Sequence, residues 1–326
     1  MKMRKRTLAL IALVLALVCV SIPVFLYLLG GNNRRVKLIV VGKTSTTTVE
    51  FWRSVHDGMA EAAGDFNVEY EFISMPDESD VEGQKTLLAQ AAKSAPDAIV
   101  WIAADYEMAE EAAALSETGI PFVLMDSDVN YTGGSKKSFV GTDNYAAALA
   151  AGLRAGDGRY GRKAAILVHA AYSKTGADRT RGFREGFLSY AGNEIVEVLD
   201  CGNSTAVARE QTKKILAEHP DVDVILNTNE VVTLGCLPEV IAAGKAREIS
   251  LFAFDCSKLQ IQYVEEGILE TIVAQYPFRM GYLAIRTARE AALGHRVSPE
   301  VDTGSVLVDA DNIYDKANQE ILFPFK

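Results

Sequence analysis

From Val36 onward, short β-branched runs alternate with segments of helical period, and the alternation passes through two successive sets. No other feature constrains the fold as much. A strand, a crossover helix and a second strand close onto one sheet as a parallel pair, with helices on its faces. In the first set, strands are read at 36–41, 68–73, 98–102, 121–125 and 139–141, with helices at 51–63, 81–93 and 107–116. The second set places strands at 163–168, 194–199, 224–227, 249–254 and 270–274, and helices at 179–190, 207–218, 231–243 and 259–266. A last long helix, 279–293, and a final strand, 304–309, follow. Two similar sets in series predict an α/β chain of two lobes, each a parallel sheet flanked by helices. If the last helix returns to the first lobe, the chain crosses near 141–143, 275–277 and 302–304, which makes a multi-crossing hinge. The lobes are then 34–142 with 276–303, and 143–275 with 304–326.

The N-terminus sets the compartment. Lys2, Arg4, Lys5 and Arg6 precede 22 uncharged residues, Leu8 to Leu29, interrupted only by Ser21 and Pro23. At about 1.5 Å per residue the run is long enough to cross a hydrocarbon core of about 30 Å. It exceeds the roughly 7–15 apolar residues of a secretory signal, and no A-x-A-like site closes it. Residues 1–33 therefore read as an uncleaved signal anchor with a cytoplasmic N-terminus, which holds the body on the extracytoplasmic side of the membrane. A cleaved signal would export the body to that same side. The chain has 33 Lys and Arg against 43 Asp and Glu, and four of the cations lie before the apolar run. A body so acidic repels phosphate backbones, so nucleic acid is not an expected partner. Beyond the anchor only Cys201, Cys236 and Cys256 remain, an odd number without a C-x-x-C spacing, which reads as buried thiols.

Motifs for catalysis and cofactors fail on context. Gly156, Gly158 and Gly161 match G-x-G-x-x-G, but they follow a helix and precede strand 163–168. The dinucleotide mechanism needs the reverse order, so that pyrophosphate meets free N–H groups at a helix start. They read as a turn. His56, His169, His219 and His295 are scattered, with no ligand or base spacing among them. No cofactor and no metal are expected, and an enzyme has no positive support.

The chemistry lies instead at strand ends. In open α/β sheets, ligands bind beyond the carboxyl ends of the strands. Asp126 follows strand 121–125; Asp143 and Asn144 follow 139–141; Asn229 and Glu230 follow 224–227; Asp255 follows 249–254; Gln275 follows 270–274. Carboxylates accept from hydroxyls, amides donate and accept, and a guanidinium donates in a fixed fork. That mixture suits a neutral polyol, because each hydroxyl left unpaired on burial costs about 1–3 kcal/mol. Phe51 and Trp52 could cover the apolar face of a sugar ring. For any single residue, a helix N-cap is an equally good reading, since Asp and Asn are favoured there in any protein.

Over residues 36–315 the chain resembles the type I periplasmic sugar-binding proteins, in particular the ribose-binding-like components of ABC importers. The stretches that carry the resemblance are Phe51-Trp52-Arg53-Ser54-Val55-His56-Asp57-Gly58, Val123-Leu124-Met125-Asp126, Gly141-Thr142-Asp143-Asn144 and Arg179-Thr180-Arg181-Gly182. They continue with Asn227-Thr228-Asn229-Glu230, Phe252-Ala253-Phe254-Asp255, Ala274-Gln275-Tyr276-Pro277 and Thr303-Gly304. The resemblance implies that Phe51 and Trp52 sandwich the sugar ring, while Asp126, Arg179, Asn229, Asp255 and Gln275 bond its hydroxyls. The chain departs from the ribose binders at Val49, where they have Asn, at Ser127, where they have Arg, and at Cys256, where they have Gly. An aromatic expected around 202–205 is missing, with Asn203 the nearest polar candidate. Ser127, Asp143 and Asn203 are further candidates, and the departures leave space for a ligand other than ribose.

The resemblance implies a membrane-anchored binder that closes two lobes on a small carbohydrate-like ligand and delivers it to an ABC permease. The alternative is a sensing subunit that presents the bound sugar to a membrane histidine kinase or chemoreceptor. A third reading, glycoside hydrolysis by Asp126 and Asp255 as paired carboxylates, conflicts with the ligand-bonding role the resemblance gives them.

Overall fold

Two six-stranded sheets carry the chain in the computed structural model, which describes residues 35–45, 49–158 and 160–322. The segment read as a signal anchor lies outside the described residues. Among the described residues, no helix is long and apolar enough to cross a membrane.

Numbered along the chain, the first sheet holds β1 (Val36–Gly42), β2 (Val68–Ser74), β3 (Ala98–Trp101), β4 (Phe122–Met125), β5 (Lys136–Gly141) and β11 (Glu300–Asp302). Their spatial order is β11-β5-β4-β3-β1-β2, parallel throughout. The second sheet holds β6 (Lys163–Val168), β7 (Glu194–Asp200), β8 (Val224–Asn227), β9 (Ser250–Phe254), β10 (Thr271–Gln275) and β12 (Ser305–Val308). Its order, β12-β10-β9-β8-β6-β7, repeats the first, except that β12 runs antiparallel to β10. β3, β4, β8 and β10 are buried along their whole length, as continuous apolar runs covered on both faces must be.

Helices α1 (Glu50–Asp65), α2 (Val81–Lys93), α3 (Ala109–Glu117) and α9 (Pro277–Ala292) flank the first sheet. The second is flanked by α4 (Asn144–Gly156), α5 (Lys174–Leu188), α6 (Thr205–Glu218), α7 (Glu230–Ala242), α8 (Lys258–Glu265) and α10 (Lys316–Leu322). Most starts follow local chemistry. Asp80, Asp143, Ser173, Ser204, Asn229 and Ser257 each cap a helix through a side-chain oxygen, and Ser257 with Gln260 forms a capping box. The sequence reading begins α5 at residue 179, five positions late, because it passes over the Ser173 cap. It also omits β11 and α10, both short and without a strong apolar period.

α9 leaves β10 of the second sheet and packs on α1 of the first, where Gly58 and Gly281 let the two backbones touch. A Cβ at Gly58 would overlap the Phe278 carbonyl, and one at Gly281 the Val55 carbonyl. The chain then returns between β11 and β12 through Thr303 and Gly304. Thr303 N–H donates to the Gly141 carbonyl at 2.8 Å, and the buried Thr142 and Thr303 hydroxyls lie 3.3 Å apart. Two of the crossings are thereby tied side by side, with Gly304 at φ +82° making the turn.

Candidate functional site

The carboxyl ends of both sheets face one cleft. Asp126 directly follows β4 and Asp255 directly follows β9, and the two occupy equivalent places in their sheets. Each has left-handed backbone, φ +63° and +73°, and each N–H donates at 3.0 Å to the adjacent strand, at Val140 and Val273. Asn203, before α6, has φ +51°. Such conformations cost about 1–3 kcal/mol in residues with a Cβ and persist where surrounding structure enforces them. Here they turn polar side chains off the strand ends into the cleft.

Arg179 reaches the cleft from α5 and is buried. Its Nε donates to Asn144 Oδ1 and its Nη1 to the Thr228 carbonyl, both at 2.7 Å, and the guanidinium lies 4.2 Å from the Phe254 ring centroid. Burial pulls its pKa down while Asp255 and Asp126 pull it back. Asn229 does two jobs: its Oδ1 caps α7 by accepting from Val232 N–H at 3.0 Å, and its Nδ2 donates to Asn203 Oδ1 at 2.9 Å. Gln275 Nε2 donates to Asp255 Oδ1 at 2.6 Å, and Glu230 N–H donates to Asp255 Oδ2 at 2.8 Å.

The structure thus brings Phe51, Trp52, Asp126, Arg179, Asn203, Asn229, Asp255 and Gln275 to one cleft and leaves two candidates out. Ser127 is buried behind Asp126, and Asp143 is the exposed cap of α4 at the hinge, its Oδ1 accepting from Ala146 N–H at 2.9 Å. Neither lines the cleft. The aromatic pair also differs from expectation. The Phe51 and Trp52 centroids are 5.0 Å apart with planes at 88°, edge to face, and both rings also pack on the first core. Two rings that sandwich a sugar stand parallel with the sugar between them, so this pair offers one face and one edge.

Sequence reasoning missed a buried charge cluster. Lys43, just past β1, places Nζ 3.1 Å from Asp126 Oδ2 and 3.8 Å from Glu78 Oε2, and 5.4 Å from the Trp52 ring centroid. Burial pulls the Lys43 pKa down, but Asp126 and Glu78 outweigh it and hold it above the ordinary value. Burial pushes Glu78 up in spite of Lys43. His169 also lines the cleft. Burial, with the charges of Arg179 and Lys43 adding to it, holds its pKa well below the usual range, so the ring is neutral and bonds the Thr228 and Thr175 hydroxyls at 2.8 and 3.2 Å. Lys43 obeys the same strand-end rule that selects Asp126. Glu78, in the acidic loop Asp77-Glu78-Ser79-Asp80, carries no local signal at all.

Among the described residues, hydrogen bonds join the two halves across the cleft, and Lys174 Nζ lies 5.5 Å from the Tyr106 ring centroid. Asn203 hydrogen-bonds Glu78, Tyr106 N–H donates to the Tyr172 carbonyl at 3.2 Å, and Lys258 N–H donates to Glu50 Oε2 at 3.3 Å. The cleft is closed.

Residues 39–296 match the family model described as periplasmic binding protein domain. The chain belongs to this family. A D-ribose/D-allose-binding protein of Pseudomonas aeruginosa is 26% identical over 272 residues, 78% of this chain and 82% of the relative. A solute-binding protein of Agrobacterium vitis solved with bound D-fucose is 26% identical with TM-score 0.81, covering 88% of this chain and 100% of the other. One from Agrobacterium radiobacter, in complex with D-arabinose, has TM-score 0.82 at 23% identity, over 88% and 99% of the two chains. Its fold is that of the type I periplasmic binding proteins. Cys201, Cys236 and Cys256 of this family member are free thiols, each pushed up to about 12 by burial.

Proposed function

We propose that this periplasmic binding protein captures a small sugar between its lobes outside the cytoplasm and delivers it to an ABC permease. The lobes are residues 34–142 with 276–303 and 143–275 with 304–326, each built on one sheet. The observation that carries the reading is the closed cleft at the carboxyl ends of both sheets, where Asp126 and Asp255 stand in equivalent positions beside Arg179, Asn229 and Gln275. Acceptors, amides and a guanidinium held rigidly around one space suit a ring with several hydroxyls. Trp52 and Phe51 supply its apolar contact. Lys43 and Asn203 join the set, the first beside Asp126 and the second at the lip. The names of the relatives support the sugar class, and an N-terminal anchor would hold the binder near its permease at high effective concentration.

Thermal-shift and calorimetric titration of the full chain, in a detergent without a sugar headgroup, tests this against pentoses, hexoses, amino sugars and polyols. A ligand at 100 times its Kd adds about 2.7 kcal/mol, a shift of several degrees. A hit lost in both Asp126→Asn and Asp255→Asn supports the reading. A well-folded sample silent to the whole panel refutes it.

A further inference from the structure

A second cavity, of about 280 Å³, adjoins the cleft and shares Phe51, Glu230, Asp255 and Gln275 with it. Pro277, Ile321 and Leu322 make part of its wall apolar. Three other wall residues, Ser54, Glu230 and Gln275, are each more than nine-tenths buried, and each holds an oxygen without a hydrogen-bond partner: Ser54 Oγ, Glu230 Oε2 and Gln275 Oε1. An unpaired buried oxygen costs about 1–3 kcal/mol. An amide carbonyl and an ionised carboxylate only accept, and a hydroxyl also accepts, so a cationic group that donates several hydrogens, and whose charge favours the ionised form of Glu230, answers all three. One sugar hydroxyl donates once.

Charge points the same way. Glu78, Asp126, Glu230 and Asp255 are four buried carboxyl groups along the two cavities, against two buried cations, Lys43 and Arg179, and the exposed Lys258 on the wall of the second. Burial, with Asp255 and Glu50 nearby, pushes Glu230 up to about 8. That is the response of a carboxyl group taken out of water beside other carboxyl groups, with Arg53 and a Ser257 hydrogen bond offsetting only part of it.

Resting on the sugar-binding reading above, we propose that the ligand is an amino-substituted sugar or polyol whose ammonium group is held by Glu230, Gln275 and Ser54. The three N–H donors of a primary ammonium match the three unpaired oxygens in number, and its charge reduces the carboxylate excess. The adjoining carbons rest against Pro277, Ile321 and Leu322. Glu230 is then the residue that separates this ligand from its neutral analogue.

The test is calorimetric titration of the full chain at pH 7 with matched pairs. D-glucose, D-galactose, D-mannose and D-allose are each compared with the 2-amino-2-deoxy sugar, and D-glucose also with 6-amino-6-deoxy-D-glucose. The expected result is an amine that binds at least tenfold tighter than its parent, and a ratio that collapses towards one in Glu230→Gln. Parents that bind as tightly as their amines in every pair overturn the amino-group assignment and leave the sugar reading standing. Silence of both members of every pair, from a folded sample, overturns both. If Glu230→Gln fails to fold, the wild-type ratios still decide.

Discussion

Replacing Lys43 by Met removes one cation from between two buried carboxyl groups. At the effective dielectric of about 20 that fits protein ion pairs, contacts of 3.1 Å to Asp126 and 3.8 Å to Glu78 correspond to roughly 5 and 4 kcal/mol of attraction. The ammonium's own desolvation offsets much of this, and breaking such buried pairs costs about 3–5 kcal/mol net, because the partner charge stays behind unpaired. With an m-value of about 2–3 kcal/mol/M for a chain of this size, the urea midpoint at pH 8 falls by about 1–2 M. The sign of the pH dependence separates charge from packing. Without Lys43 the Glu78 pKa, already raised by burial, rises further in the folded state, so the folded variant binds a proton that its unfolded chain releases. The variant's stability is then greatest below the unfolded carboxyl range and is lost as pH rises through the raised folded pKa of Glu78. Urea melts of wild type and variant at pH 5 and pH 8 should show the deficit at pH 5 reduced to less than half. The double substitution Lys43→Met with Asp126→Asn, which leaves one fewer stranded charge, should recover part of the loss at pH 8. A deficit equal at both pH values, or below about 1 kcal/mol at pH 8, refutes the electrostatic account and leaves Lys43 as packing.

Glu230→Gln has a predictable linkage of its own. The wild-type folded pKa of about 8 lies above the ordinary 4.5, so the carboxyl's contribution to stability is intact below 4.5 and lost as pH rises through 8. The variant should match wild type at pH 4 and exceed it by up to about 4 kcal/mol at pH 8, read from urea midpoints; a constant offset contradicts the shift. Gly281→Ala drives a Cβ into the Val55 carbonyl and parts α1 from α9, which should cost about 1–3 kcal/mol and lower Tm by several degrees in a thermal melt. With thiols pushed up to about 12 and side chains buried, Cys201 and Cys236 should not react with a disulfide reagent at pH 8 in a Cys19→Ser, Cys256→Ser background until denaturant is added. Rapid labelling of the folded protein would contradict their burial.

The sheets were legible because their central strands are apolar runs of four to seven residues bounded by turns, and the helices between them carry a clear period. Strand 163–168 and helix 81–93 end where the sequence places them. Asp126, Asp255 and Gln275 were legible by the rule that polar residues past a buried strand face a ligand. The same rule selects Asp143, which only caps α4, because a cap and a ligand group use identical residue types at identical positions. Gln84 shows what a linear reading does not reach. Buried in α2, it donates to the Gly42 and Ile102 carbonyls and accepts from Trp101 Nε1 and Ala104 N–H, fixing the strand ends beside Lys43. In sequence it is one polar residue on an amphipathic helix. The meeting of Lys43 with Glu78 likewise exists only once β1 and β2 lie side by side.

The same geometry says why closure should depend on a ligand. Among the described residues, the hydrogen bonds at the lips join Glu78 with Asn203, Tyr106 with Tyr172 and Glu50 with Lys258. A net worth of about 0.5–1.5 kcal/mol for each gives only a few kcal/mol in favour of closing. Against them stands the burial of four carboxyl groups around two cations, together with the unpaired oxygens of Ser54, Glu230 and Gln275. Both costs fall on the closed form and are relieved by whatever donates hydrogen bonds inside it. A ligand can shift an equilibrium only by its differential affinity for the two states. Here the groups it contacts come from both sheets, so the contacts that the second lobe adds on closing are the differential part of its binding free energy. Closing is thereby coupled to occupancy, and a permease that contacts both lobes can distinguish loaded from empty without touching the ligand.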